Sequence, residues 1–208
     1  MSVLDRLAGA LGRSDERPNV ALAEALVGSG DVAAIEQLVD VLRGDGPKPQ
    51  KNDALKVLYE VGRRRPALVS PYGDVFLALL QSHTSRQVWG AMQALETIAG
   101  ERPETLMAEL PAILEAADRG TVIAKDCCTG LLVKLAAAGH ADKVVPILVE
   151  RLAEAAPNQF PAYAEETATV VTETARPGFL RLLKSRLTAI SQRAKRQRVE
   201  KLLRRMGG

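Results

Sequence analysis

A spacing of 37 residues recurs along this chain and constrains its fold more than any other feature. Four anchor positions follow one another at this interval, and the residue before each anchor recurs with it. The pairs are Arg65 and Pro66, Arg102 and Pro103, Gly139 and His140, and Arg176 and Pro177. Self-similarity at a period of about 20 to 50 residues is typical of proteins built from stacked repeats. We therefore expect each copy to bury its apolar face against the next copy.

Apolar residues upstream of the anchors indicate what each copy contains. They recur in four positions with the helical spacing i, i+3, i+4 and i+7. The matched sets are Ala54, Ala91 and Cys128; Val57, Ala94 and Leu131; Leu58, Leu95 and Leu132; and Val61, Ile98 and Leu135. A second apolar stripe follows each anchor, so each copy is predicted to be a helical hairpin, with Leu58, Leu95 and Leu132 buried. An earlier copy at 18–44 and a degenerate copy near the C terminus bring the number to about five.

Prolines and β-branched residues mark the weakest parts of these helices. Pro71, Pro111 and Pro146 lie in second helices, where one helical turn should precede a kink or a fresh start, because proline is tolerated only in a first turn. The strand candidates are Thr121–Ile123 and Thr169–Thr172. Both fall in the helical register and are predicted to be helical, so no sheet is expected.

Three segments resemble HEAT repeats. Arg64–Phe76 and Glu101–Leu114 are similar to the turn and second helix of that family, and Val88–Leu95 is similar to its first helix, with Trp89 where the family often has arginine. The chain thus resembles the HEAT and armadillo-like helical repeat proteins. The resemblance implies an all-α fold: a right-handed α-solenoid of about five HEAT-like helical hairpins with a terminal basic helix, whose second helices line a concave face. It implies binding rather than chemistry.

The domain prediction is a single HEAT-like α-solenoid over 1–208, with an N-terminal cap at 1–17, repeats at 18–190 and a basic C-terminal helix at 191–208. An apolar stripe in the first segment fits a cap folded on the first repeat, with contact to a membrane surface as the alternative. The stripe consists of Val3, Leu4, Leu7 and Leu11. No apolar run reaches the roughly 20 residues of a membrane span, and no secretory leader pattern is present, so a cytoplasmic location is expected.

Residue placement argues against catalysis, metals and cofactors. Cys128 occupies a repeat position that is otherwise alanine, which predicts that Cys127 and Cys128 are structural rather than redox-active. Neither His83 nor His140 stands beside a nucleophile in a recognisable motif, and no glycine-rich phosphate loop is present. Glu165 and Glu166 are adjacent on a predicted helix, so their side chains point in different directions. They are therefore expected to be solvated rather than to act together as a general acid and base. We therefore expect no cofactor, no metal ion and no enzymatic activity.

Charge is distributed unevenly. From Arg181 onward ten basic residues stand against Glu200 alone, a net charge of +9, and since the whole chain carries +3, residues 1–180 carry −6. The cations of the last helix are either the solvated side of a cap or a surface for nucleic acid or an acidic protein. They are Arg193, Lys195, Arg196, Arg198, Lys201, Arg204 and Arg205. A second basic group caps helix ends or forms an arginine edge for phosphates. It contains Arg63, Arg64, Arg65, Arg102 and Arg176.

The sequence favours a non-enzymatic interaction scaffold that binds a protein partner on a solenoid face. One alternative is a nucleic-acid binder that uses the basic C-terminal helix. Another is a HEAT-like alkylpurine DNA glycosylase, since that resemblance implies a groove with aromatic residues and a catalytic aspartate. Trp89, Asp126 and Tyr163 hold equivalent repeat positions, but on first helices, which the resemblance places on the convex side.

Overall fold

The computed structural model describes residues 2–207, and every regular element in that range is helical. The chain divides into two compact units, Met1–Cys128 and Thr129–Gly208. The first unit contains α1 (Arg17–Ser29), α2 (Val32–Arg43), α3 (Lys48–Arg64), α4 (Gly73–Leu79), α5 (Ser85–Ile98), α6 (Pro103–Ala108) and α7 (Leu110–Arg119). Helix α8 (Val122–Leu135) runs across the boundary between the units. The second unit contains α9 (Ala141–Glu154), α10 (Phe160–Thr167), α11 (Arg176–Arg186) and α12 (Arg193–Arg205).

The repeat predicted from the sequence is present in the helices. The first helices α3, α5 and α8 begin at Lys48, Ser85 and Val122, which are 37 residues apart. The second element of each of these copies follows at α4, at α6 and α7, and at α9. The all-α repeat prediction is confirmed, and Leu58, Leu95 and Leu132 are fully buried as expected.

The N-terminal segment is fastened to the first unit by buried side chains and by two polar residues. Val3 and Leu7 are buried, and the short helical turn Val3–Arg6 contacts α2. Asn19 accepts a hydrogen bond from the Ala8 amide at 2.9 Å, and its own amide group donates to Asp53 at 2.8 Å. Val3 and Leu7 of the apolar stripe therefore pack on the first unit, whereas Leu11 is 53% exposed.

Helices α3 and α5 pack closely because glycine stands at two of their contact points. A Cβ atom on Gly62 would lie 2.2 Å from Thr97 Oγ1, and one on Gly90 would lie 2.7 Å from Leu55 Cδ2. Both distances are far below van der Waals contact, so a larger residue fits only if Thr97 or Leu55 shifts. The close approach of the two helices also brings side chains outside this contact together, such as Tyr59 of α3 and Trp89 of α5.

The four anchors turn the chain in different ways. Arg65 and Arg102 precede prolines and have φ angles of −149° and −133°, since proline disfavours the helical conformation for the residue before it. Gly139 has no following proline and turns instead at a φ of +106°, in the region that favours glycine. The fourth pair lies inside the first turn of α11, at Arg176 and Pro177.

The proline prediction holds in two copies out of three. Pro71 lies in a short helical turn, Ser70–Tyr72, before α4 begins, and Pro111 is the second residue of α7, which starts afresh after α6. Pro146 differs, because α9 continues through it. Its ring nitrogen has no hydrogen to donate, so α9 forms without one of its internal hydrogen bonds.

The helical prediction for Thr169–Thr172 is wrong. Helix α10 ends at Thr167 and α11 begins at Arg176, while Val122 and Ile123 of the other β-branched run are helical as predicted. Between α10 and α11, threonine hydroxyls form hydrogen bonds with the backbone. Thr169 Oγ1 donates to the Glu166 carbonyl at 2.6 Å, and Thr172 Oγ1 accepts from the Ala175 amide at 3.3 Å. Such local hydrogen bonds compete with the helix, and the β-branched run already lowers its propensity.

The core of the second unit includes the apolar side of the last helix. Phe160 and Phe179 are fully buried there, and Val199, Leu202 and Leu203 of α12 belong to the same cluster. Helix α12 contacts both α10 and α11. Among residues 2–207 no helix combines the length and the apolarity that a membrane crossing requires.

Candidate functional site

Polar and aromatic side chains lie together along one side of α3 and α5, and about half of them are buried. On α3 they occupy positions that share one side of a helix, and the same is true on α5. The residues are Asn52, Lys56, Tyr59, Glu60 and Arg63 on α3, and Arg86, Trp89 and Gln93 on α5. We call this set the α3–α5 face. Residues on the opposite sides of the two helices, such as Val57 and Leu95, are fully buried in the core.

Two aromatic rings lie at the centre of the α3–α5 face. The centroids of Tyr59 and Trp89 are 6.4 Å apart with a tilt of 54° between the rings. Lys56 Nζ lies 4.8 Å and the Arg63 guanidinium 5.0 Å from the Tyr59 centroid, and the Arg86 guanidinium lies 5.5 Å from that of Trp89. These separations fit tilted aromatic packing and cation–π attraction. The rings are therefore held in place before any ligand arrives.

A network of ion pairs fixes the cations of this face. Buried Glu60 accepts hydrogen bonds from Lys56 at 2.8 Å, Arg63 at 2.8 Å and Arg64 at 2.6 Å. Glu16 joins the network from the start of α1, with oxygens 3.1 Å from Lys56 and 2.7 Å from Arg86. Each cation thus has a defined position, and both carboxylates are already shared.

The network stabilises the charged forms of its members. Burial acts to raise the pKa of Glu60, but hydrogen bonds from Lys56 and Arg64 outweigh it, and the pKa of the carboxyl is lowered. Burial likewise acts to lower the pKa of Lys56, and the hydrogen bond to Glu60 leaves it raised. For Tyr59, burial raises the pKa of the phenol. At neutral pH the face therefore carries a carboxylate, an ammonium and a neutral phenol.

One polar atom on this face has no partner. The side-chain oxygen Oδ1 of Asn52 is buried and accepts no hydrogen bond from the part of the chain that the structure describes. Asn52 lines one narrow cleft together with Lys56, Tyr59, Arg86 and Trp89. Buried polar atoms are nearly always paired, so this acceptor is unusual. The cleft is too narrow for a water molecule, and a donor from another molecule reaches the atom only if neighbouring side chains move.

The cysteines are structural, as the repeat position predicted. Cys127 and Cys128 are free and buried. Burial and the neighbouring Glu96 raise the pKa of the Cys127 thiol, which suppresses the reactive thiolate. The described residues contain no group of three or more His, Cys, Asp or Glu side chains that could hold a metal ion.

The structure places the predicted basic residues on one helix. Lys195 is half-buried and donates to Asn158 Oδ1 at 3.0 Å, whereas the other six cations are exposed. Those six are Arg193, Arg196, Arg198, Lys201, Arg204 and Arg205. Arg198 forms a bidentate pair with Glu165, at 3.0 and 2.6 Å. Glu165, which was expected to be solvated, is 38% exposed, and the hydrogen bond from Arg198 lowers the pKa of its carboxyl.

The structure separates the other candidates. Three arginines of the second basic group have local partners: Arg63 and Arg64 pair with Glu60, and Arg176 donates to the Met206 carbonyl at 2.8 Å. Arg65 and Arg102 are exposed. Of the glycosylase candidates, Trp89 lies in the α3–α5 face and Asp126 is exposed on α8. The third, Tyr163, is buried in the core of the second unit.

Sequence reasoning missed most of the α3–α5 face. It singled out Trp89 and Arg63 but not Asn52, Lys56, Tyr59 or Arg86. A signal was present, since Asn52, Lys56, Tyr59 and Arg63 recur at i, i+4, i+7 and i+11 beside the apolar stripe of the same helix. Polar residues at helical spacing usually indicate only a solvated side, so the burial of Lys56, Tyr59 and Glu60 required the structure.

Known proteins resemble this chain in structure but not in sequence. No protein-family model and no curated protein matches it. A designed armadillo repeat protein in complex with the peptide (KR)4 matches with a TM-score of 0.59 and 14% identity, over 95% of this chain and 96% of that one. The chain has an armadillo-like helical repeat fold. Two engineered proteins also match this armadillo-like chain, each at 18% identity. The first has a TM-score of 0.58 over 100% of this chain and 97% of its own. The second has a TM-score of 0.59 over 98% of this chain and 99% of its own.

Proposed function

We propose that this protein is a non-enzymatic scaffold that binds an extended segment of a protein partner along the α3–α5 face. The observation that carries the proposal is the buried, unpaired Oδ1 atom of Asn52 beside the rings of Tyr59 and Trp89. Once the side chains that close this narrow cleft move, a backbone N–H of an extended peptide can satisfy the acceptor. Peptide side chains can then pack on the half-buried ring of Trp89, which contacts the buried ring of Tyr59.

The cations of the face supply further contacts. The side chains of Arg63 and Arg86 are 48% and 42% exposed, so each guanidinium has N–H groups directed to solvent as well as to its carboxylate. These groups can donate to peptide carbonyls. Because the ion pairs and rings already hold them in position, little side-chain freedom is lost when a peptide binds.

The comparison with known structures supports a peptide as ligand for this fold. The designed armadillo repeat protein was observed in complex with a peptide, and it matches nearly the whole of this chain. Repeat folds bind such ligands on extended concave surfaces, so the comparison supports a peptide as the class of ligand, and the choice of the α3–α5 face rests on the residues of that face. The cytoplasmic location expected from the sequence stays a prediction.

A displayed library of random peptides tests the proposal without assuming a sequence. The library is selected on the full chain, and the enriched peptides are synthesised and titrated while the emission of Trp89 is recorded. Trp89 is the single tryptophan of the chain, so its emission reports on this face alone. We expect the enriched peptides to change that emission and to bind the Asn52→Ala variant at least about tenfold more weakly, about 1.4 kcal/mol, as the loss of a buried hydrogen bond requires.

The matched control is Asn158→Ala, because Asn158 is an exposed asparagine of the second unit. We expect its affinity for the same peptides to equal that of the wild type. Peptides that bind wild type and Asn52→Ala equally, or that leave the Trp89 emission unchanged, would show that the α3–α5 face is not the binding site.

A further inference from the structure

Helix α12 has two sides with separate roles. Its apolar side carries Val199, Leu202 and Leu203, which are buried in the core of the second unit. Its opposite side carries Arg193, Lys201 and Arg204, all of which are exposed. The capping role is fulfilled by the apolar residues, and packing places no demand on the charges of the outer side. Seven cations against Glu200 are more than a polar outer face requires.

Neighbouring acidic groups neutralise only part of this charge. Glu165 is engaged by Arg198, and Glu200 lies 4.0 Å from Arg196. Exposed Glu166 extends from α10, and Glu173 pairs with Arg176 at 3.2 Å. Across 129–208 the chain has 14 basic and 7 acidic residues, so the unit keeps a net charge of +7. The outer side of α12 is the most concentrated part of that excess.

The outer side has no apolar anchor. Apart from Ala194, its exposed residues are charged or amide side chains, and residues 181–208 contain no aromatic residue. Protein interfaces depend on buried aromatic or aliphatic anchors, and single-stranded nucleic acids are held by stacking on rings. Membrane-surface helices insert an apolar side, which α12 buries in its own core. None of these three kinds of partner fits a helix side made of cations alone.

We propose that the outer side of α12 binds the phosphate backbone of duplex nucleic acid without sequence preference. The 13 residues of α12 span about 20 Å, and a duplex carries one negative charge per roughly 1.7 Å of its axis, so several phosphates lie within reach of the helix. Five of its seven cations are arginines, whose planar guanidinium groups match phosphate oxygens in pairs. Binding of this kind acts through release of counterions and needs no base contact.

The test is a salt titration with the full chain and two labelled DNA duplexes of unrelated sequence, followed by fluorescence anisotropy. We expect both duplexes to bind equally and affinity to fall steeply between about 50 and about 200 mM salt. The variant carries Arg193→Gln, Lys201→Gln and Arg204→Gln together. Each phosphate contact contributes about 0.9 to the slope of log K against log salt, so the variant should lower the slope by about 2 to 3.

The control variant removes the same charge from the first unit, with Arg6→Gln, Lys48→Gln and Arg102→Gln together; these residues are also exposed. We expect it to keep most of the wild-type slope, and circular dichroism should show both variants folded, because all six substituted side chains are solvent-facing. Equal losses in the two variants would overturn the assignment to α12, as would wild-type binding too weak to titrate at low salt.

A competition experiment separates nucleic acid from acidic protein. Unlabelled duplex should displace the labelled duplex far more effectively than polyglutamate at equal charge, and single-stranded DNA of the same length should compete less well than duplex. Polyglutamate that competes as well as the duplex would overturn the nucleic-acid proposal and assign the surface to acidic proteins.

Discussion

At the scale of single residues, Glu60 has the most consequential environment in the first unit. Its side chain is 8% exposed and bonded to Lys56, Arg63 and Arg64. A buried carboxylate is tolerable only with such partners, and a buried ammonium such as that of Lys56 depends on the carboxylate in turn. The position of the cations over Tyr59 therefore rests on one acidic group.

We expect the Glu60→Gln variant to be less stable than the wild type by about 3 kcal/mol at neutral pH, because it leaves Lys56 buried with only Glu16 as a charged partner. The difference should depend on pH. The folded-state pKa of Glu60 is lowered, so its contribution is complete above the ordinary value of 4.5 and is lost as the pH falls through the folded-state value. Urea unfolding at a series of pH values between about 7 and about 3 measures this.

Lys56→Met is the companion variant. It removes the buried ammonium while Glu60 keeps two arginine partners, so a loss of about 1 kcal/mol or less is expected. A Glu60→Gln difference that stays constant down to pH about 3 would contradict the assigned charge state of Glu60.

At the scale of elements, the turns at the anchors differ although the repeat is regular. Where an arginine and a proline follow a first helix, the arginine before the proline leaves the helical conformation. Where Gly139 and His140 follow α8, the turn needs a positive φ, and His140 then precedes α9. The chain thus turns after these first helices with two different backbone conformations, a non-helical residue before proline or a glycine with positive φ.

Replacing Gly139 by alanine should destabilise the protein by roughly 1 to 2 kcal/mol, because an alanine resists this backbone conformation. No atom within 4 Å would contact the added Cβ, so the cost comes from the backbone alone. Thermal unfolding followed by circular dichroism measures it. Gly28→Ala is the control: it adds a methyl group in equally open space within α1 and should stabilise by about 0.5 to 1 kcal/mol. A neutral or stabilising Gly139→Ala would contradict the role given to the positive φ.

At the scale of the molecule, stability in a repeat protein is a sum of neighbouring contacts. Within the first unit α5 packs against α3, α4 and α7, whereas α1 packs against α3 and the N-terminal turn. The same kind of substitution should therefore have different consequences in the two helices, even though Leu95 and Leu26 are both buried.

We expect Leu95→Ala to cost about 4 kcal/mol and Leu26→Ala about 2 to 3 kcal/mol, since a cavity between several packed helices collapses less easily than one beside a terminal helix. Chemical denaturation of the two variants, followed by the emission of Trp89, compares them within one unit. Equal losses of stability in the Leu95→Ala and Leu26→Ala variants would contradict the prediction that a helix packed between several others contributes more than α1.

The repeat could be predicted from the sequence because it depends on local periodicity, with apolar residues at helical spacing and anchors 37 residues apart. Apolar residues at helical spacing and recurring anchors predicted three matching first helices, 37 residues apart, and which of their leucines are buried. The helical register misled at Thr169–Thr172, where threonine hydroxyls bond to the backbone and no helix forms. Pro146 misled in the other direction, since helix α9 continues through it.

The binding surface of the first unit was decided by tertiary structure. Sequence spacing shows that Asn52, Tyr59 and Arg63 share one side of a helix, but not that this side faces Trp89 and Arg86 on the next first helix. That meeting depends on the distance between α3 and α5, which Gly62 and Gly90 make short. The charge of α12 can be counted in the sequence, whereas the division of that helix into a buried apolar side and an exposed basic side appears only once Val199 and Leu202 pack on the core. Helical periodicity is local and therefore readable from the chain, while the partner of each helix side is set by packing between residues far apart in sequence.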